Sequence, residues 1–237
     1  MPASGDSVGR MTTVVLVHGA FHDGRCWERV RSALDGRAVA NLAPDLPLTG
    51  VDADAATVRA LLDAVDGPVV LCGHSYGGMV ISQAASGRDD VDRLVYLCAV
   101  QLESDDEMAP IVRPTPLMEH LVHGDDGMVS VDLAHAGDVF YHDCEPEIAA
   151  AAVSWLRPMN AIGGLTDPDA VLGPAAWKTI RSTYVVCADD RVLHADTQRE
   201  MAKHADDVVE WDTSHSPMLS QPDLVAELLT DLAGEAS

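Results

Sequence analysis

Six short apolar runs, rich in β-branched residues, recur along the chain: TVVLVH, AVANLA, PVVLCG, RLVYLC, STYVVC and VVEWD. Each is nearly continuous in apolar side chains instead of alternating with polar ones, which predicts parallel strands buried on both faces. Between them lie longer segments with helical spacing: WERVRSALDG, closed by a glycine, then ADAATVRALLDAV, then the stretch that follows Ser75. Strands alternating with helices predict an α/β fold, a mainly parallel sheet of about six strands with helices on both faces. The rhythm breaks over residues 101–176, where prolines, acids and four methionines (Met108, Met118, Met128 and Met159) replace it. That segment is expected to be an inserted helical cap, with a helix near EPEIAAAAVSWL that turns Trp155 and Leu156 toward the core. The expected core is then 11–100 together with 177–237. Residues 1–10 read as a disordered leader, too polar for a signal peptide.

Charge narrows the partners. The chain of 237 residues carries 38 acidic against 15 basic side chains, a formal net charge of -23. Such a surface repels nucleic acid and anionic membranes, so neither is an expected partner. No apolar run is long enough to span a membrane. The cysteines are five, an odd number without a C-x-x-C pair, and mostly sit in apolar segments. They read as reduced, buried thiols, which points to the cytoplasm. The expected cap holds 14 acids against only Arg113 and Arg157. It should disfavour anionic ligands, while its methionines suit an adaptable, mainly aliphatic pocket.

The chemistry is concentrated in VVLCGHSYGGMVISQA, where Gly73 and Gly77 bracket Ser75 at a predicted strand-to-helix junction. A sharp turn there would present the hydroxyl, and glycines on both sides would relieve crowding. A serine needs a base within reach and an acid to orient that base. His215, in WDTSHSPMLSQPDLVAELL, follows the last predicted strand at the same carboxyl edge as Ser75. The acid should follow STYVVC, where Asp189 and Asp190 both qualify by position. The first strand ends in VHGAFHDG, so the backbone amides of Ala20 and of Tyr76 are candidate donors to a developing oxyanion.

Taken together, these segments resemble the α/β-hydrolases from Met11 onward, and more narrowly the small esterase and hydroxynitrile lyase branch in its actinobacterial form. The residues that carry the resemblance are the HGA loop, GHSYGG, FYHDC, SWLRP, STYVVCADDR and TSHSPMLSQPDLVAELL. The resemblance implies an α/β-hydrolase fold, a Ser75–His215–Asp190 triad and no cofactor. Candidate substrate contacts are Gly19, Phe21, His22, Tyr141, Trp155 and Ser216, with an anchor for the cap as the alternative role of Tyr141. His194 departs from the family pattern, in which a proline is common.

Three functions fit these residues. The first is a serine hydrolase of small carboxylic esters or lactones, working through an acyl-enzyme. The second is a hydroxynitrile lyase, and the third a ligand receptor on a hydrolase scaffold. Lyases of this branch place a lysine after the triad histidine and a threonine in the first loop, where this chain has Ser216 and Gly19. That difference favours ester hydrolysis. His120 and His123, spaced H-x-x-H, lack an evident third ligand, so no metal is expected. His18 and His22 are expected to shape the first loop, and His74 to pack inside. The expected partner is a small-molecule ester, with a homodimer left open.

Overall fold

A computed structural model describes residues 11–102, 111–160 and 174–236. The expected leader and Met108 lie outside them. The main sheet is built from β1 (Thr13–Val17), β2 (Ala40–Leu42), β3 (Val69–His74), β4 (Val91–Leu97), β8 (Ser182–Cys187) and β9 (Asp207–Trp211). All pair in parallel in the order β2-β1-β3-β4-β8-β9. β1, β3 and β8 are buried almost throughout, as their continuous apolar runs require.

The helices of this layer are α1 (Glu28–Asp35), α2 (Val51–Leu62), α3 (Gly77–Ala84), α7 (Ala195–Met201), α8 (Pro217–Ser220) and α9 (Pro222–Glu235). α1 packs on α9, and α2 packs on α3. His194, the departure from the family pattern, serves as the N-cap of α7: its Nδ1 accepts from the Asp196 amide at 3.1 Å.

Register decides where chemistry can gather. Val17 pairs with Gly73, His74 with Leu97, Leu97 with Val185, and Cys187 with Trp211. The carboxyl ends of five strands therefore form one edge, and the loops leaving it begin at His18, Ser75, Cys98, Ala188 and Asp212. Open parallel sheets bind ligands outside this edge.

Between β4 and β8 the described residues form α4 (Pro116–Glu119), α5 (Leu133–Phe140) and α6 (Pro146–Trp155). The same segment holds a second, antiparallel sheet of β5 (Leu121–His123), β6 (Met128–Val131) and β7 (Met159–Asn160). The segment thus holds the expected helices and, beside them, a small sheet that was not expected. Its methionines do not share one environment: Met118 is exposed, Met128 half-buried and Met159 buried.

Candidate active site

Ser75 leaves β3 with φ +53, in the left-handed region that costs a residue with a side chain roughly 1–2 kcal/mol. Two glycines make the turn sterically feasible. A Cβ at Gly73 would lie 2.5 Å from the Gly77 carbonyl oxygen, and one at Gly77 would lie 2.6 Å from that of Val17. The elbow is tied to β4 by Ser75 N–H to Leu97 O (3.2 Å) and by Val100 N–H to Ser75 O (3.0 Å). Behind it, the Tyr76 hydroxyl donates to Asp54 Oδ2 at 2.6 Å, anchoring the elbow to α2. Burial raises the Asp54 carboxyl above its ordinary range.

His215 is held from three sides. Its Nδ1–H donates to Asp190 Oδ2 at 2.6 Å. Its carbonyl accepts from His74 Nε2 (2.8 Å) and from the Cys98 thiol (3.4 Å). Its ring lies 4.6 Å from that of His74 and 6.1 Å from that of Phe140. The neighbouring Ser214 donates its amide N–H to Asp143 Oδ2 (2.9 Å) and its hydroxyl to the Phe140 carbonyl (3.3 Å), so the end of α5 and the turn after it grip this loop.

Asp190 and Asp189 separate by burial: Asp190 is 9% exposed, whereas Asp189 faces solvent. Asp190 Oδ1 accepts from the amides of Val192 (2.7 Å) and Leu193 (2.8 Å). Its Oδ2 accepts from Gln198 Nε2 (2.8 Å) in addition to His215. Neither Ser75 Oγ nor His215 Nε2 makes a hydrogen bond among the described residues, an open geometry that substrate can tighten.

The first loop is fixed by buried neutral histidines. Leu46 N–H donates to His18 Nε2 (2.9 Å), so that nitrogen carries no proton and Nδ1–H donates to the Gly19 carbonyl (2.9 Å). Gly19 C=O and Ala20 N–H belong to one trans peptide, so His18 sets the direction of the Ala20 amide. His22 Nδ1–H donates to the Ala20 carbonyl (2.6 Å), and the Tyr141 hydroxyl donates to His22 Nε2 (2.8 Å). Burial pulls both histidines down to about 4 and pushes His74 well below 6.5. Phe21, at φ +64, is held by Arg157, whose amide bonds the Phe21 carbonyl at 2.9 Å. The Arg157 guanidinium also reaches the carbonyls of His22 (3.0 Å) and Leu46 (2.8 Å).

The amides of Ala20 and Tyr76 are buried and find no acceptor among the described residues. Buried amides are nearly always paired, so two unpaired ones beside Ser75 suit a transient negative oxygen. Gly19 lies against the elbow. A Cβ there would meet Ser75 Cβ at 2.8 Å and His74 Nδ1 at 2.9 Å, so glycine serves close approach.

The remaining sequence candidates fall on different sides. The Ser216 hydroxyl is buried beside His215 and has no partner among the described residues. Trp155 is half-buried on α6 and packs against the core. Its ring faces Arg25 at 5.5 Å and lines a surface groove of about 220 Å³ with Ile148 and Leu219. His123 is exposed. His120 stacks on His135 (4.0 Å, 6°), and Asp132 bonds His135 Nδ1 at 2.8 Å. Ligand atoms of His120, Asp132 and His135 lie within 4.8 Å of one another, but parallel stacked rings do not aim their in-plane lone pairs at one centre.

Sequence reasoning passed over Asp54, Phe140, Asp143 and Gln198, and left Arg157 without a role. Of these, Phe140, Asp143 and Arg157 lie within or beside the FYHDC and SWLRP segments already singled out.

The chain is similar to known proteins over most of its length. Residues 14–228 match the model of the Alpha/beta hydrolase family. The alpha/beta hydrolase nvfD of Aspergillus novofumigatus is 31% identical, over 94% of this chain and 97% of its own. The pyrethroid hydrolase of Sphingobium wenxiniae is 29% identical, over 94% of this chain and 88% of its own. The crystal structure of a pyrethroid hydrolase from Sphingobium faniae superposes with a TM-score of 0.81 at 28% identity, over 94% of this chain and 97% of that one. With the family model spanning most of its length, and relatives named as hydrolases matching it almost end to end, the chain belongs to the alpha/beta hydrolase family, on its esterase branch.

Proposed function

We propose that the chain is a serine esterase in which Ser75, His215 and Asp190 form the triad and the amides of Ala20 and Tyr76 form the oxyanion hole. One observation carries the reading: a serine at positive φ shares one sheet edge with a buried His–Asp pair and two amides that find no acceptor among the described residues. Ser75 Oγ attacks the acyl carbon while His215 Nε2 takes its proton. Asp190, through Nδ1, fixes the tautomer that leaves Nε2 free and stabilises the imidazolium. The carbonyl oxygen becomes negative and accepts from the two amides; losing one such donor typically costs about 3 kcal/mol of barrier. His215 returns the proton to the departing alcohol. Water then repeats the sequence and releases the acid.

The substrate class that fits is a small or medium neutral carboxylic ester or lactone. His18 and His22 are neutral, and the net charge of -23 opposes anions approaching the mouth. The pyrethroid hydrolase among the relatives is compatible with an apolar ester. The segment between β4 and β8 acts as the cap, with Tyr141 supporting His22 and Phe140 bordering His215. Buried free thiols suit a reducing cytoplasm. Ser216 follows the base where a departing cyanide would call for a cation, and a hydroxyl offers only a neutral contact of about half the strength of a charge-assisted one.

The test measures aryl acetate hydrolysis and mandelonitrile cleavage on one preparation, alongside Ser75→Ala. Ester turnover that exceeds cyanide release and vanishes in the variant is expected. Cyanide release that dominates and depends on Ser75 would replace esterase with lyase.

A further inference from the structure

We infer that Gln198 is a positioning residue for the triad acid, an inference that rests on the esterase reading. Gln198 lies on α7 and is fully buried. β4 pairs with β8 only as far as Val185, and Ala188 N–H is taken by Trp211 O of β9. The Cys187 amide and carbonyl therefore face the side that β4 has left. Gln198 takes its place: Oε1 accepts from Cys187 N–H at 2.9 Å, and Nε2 lies 3.3 Å from Cys187 O. The same Nε2 donates to Leu193 O (2.6 Å) and to Asp190 Oδ2 (2.8 Å).

One carboxamide thus ties the end of β8 to both arms of the acid loop. Its effect on chemistry follows from Oδ2, the oxygen that also faces His215. With both carboxylate oxygens held, Asp190 cannot rotate about its terminal torsion, and the imidazole keeps one orientation. Removal of the Gln198 donor would leave Oδ2 with His215 alone. The carboxylate would then be freer to turn, which lowers turnover. It would also be more basic and hold the protonated imidazole more tightly, which moves the acid limb of the pH profile upward. A residue that merely filled space would do neither.

The experiment compares Ser75→Ala, Gln198→Leu, Gln198→Glu and Val225→Ala with wild type, reading kcat, KM, the pH profile of kcat/KM and Tm on a small aryl acetate. Val225 is buried on α9 and takes part in none of the side-chain hydrogen bonds of the triad, so its variant reports lost packing. Gln198→Leu should lower kcat at least tenfold, leave KM within about twofold and shift the acid limb to higher pH. Gln198→Glu keeps the acceptor for Cys187 but sets a carboxylate against Asp190. Its activity relative to wild type should rise as pH falls, because a protonated Glu donates again. If Gln198→Leu does not fold, this isosteric variant decides. Wild-type kcat and pH profile in both Gln198 variants would overturn the inference, as would losses that track Tm in the manner of Val225→Ala. Turnover surviving in Ser75→Ala would instead overturn the esterase reading, and the inference with it.

Discussion

Acidification from pH 7 to pH 5 should destabilise the fold through its buried neutral histidines. His18 and His22 are held near 4 by burial, against an ordinary value of 6.5. Both folded values lie below the unfolded one, so stability is intact above pH 6.5. It then declines toward pH 4, because the unfolded chain binds protons that the folded chain refuses. At pH 5 that difference is worth about 2 kcal/mol for each histidine, or about 4 kcal/mol for the two. His74, lowered for the same reason, adds in the same direction. Asp54, raised by burial, opposes it. Against a usual domain stability of about 5–15 kcal/mol the loss is large. Urea unfolding at pH 7 and pH 5, at fixed ionic strength, measures it. His22→Gln removes one of the titrating groups, so its pH-dependent loss should be smaller by about 2 kcal/mol. Equal stability at the two pH values, or an unchanged slope in His22→Gln, would refute the neutral-histidine account of the first loop.

Two further outcomes follow from the geometry. Asp190→Asn should lower kcat about ten-thousandfold: Oδ1 is claimed by two backbone amides, so the new NH2 would face His215 Nδ1 and impose the wrong tautomer. Asp189→Asn, on an exposed side chain, should change kcat little, and the two are compared by steady-state ester hydrolysis. Gly19→Ala should lower kcat by about a hundredfold and cost about 1–3 kcal/mol of stability, since its methyl meets Ser75 and His74 and displaces the Ala20 amide. Parallel turnover and urea measurements check both effects.

The inner strands β1, β3, β4 and β8 were legible because burial on both faces writes itself as continuous apolarity, whereas the edge strands β2 and β9, expected to be buried on both faces, are partly exposed. The elbow was legible because glycine is needed where Gly73 and Gly77 approach other backbone. The choice between Asp189 and Asp190 could not be read from position, since neighbours in sequence end with opposite burial once the β8 loop turns. The small sheet escaped because its strands are only three, four and two residues long. No period is visible over such lengths, and β7 joins from beyond two helices. Gln198 sits within a helical pattern, and nothing local announces that its amide reaches a strand end eleven residues back. Trp155 and Leu156, expected to face the core, are half-buried against it, and the Trp155 ring also meets Arg25.

The central claim is that Ser75 carries the acyl group. Intact-mass and peptide mass spectrometry after reaction with a fluorophosphonate, run on wild type, Ser75→Ala and His215→Ala, tests it most directly. The account predicts one adduct per chain, located on Ser75, absent from Ser75→Ala and formed far more slowly in His215→Ala. An adduct on another residue, or equal labelling of Ser75→Ala, would contradict it.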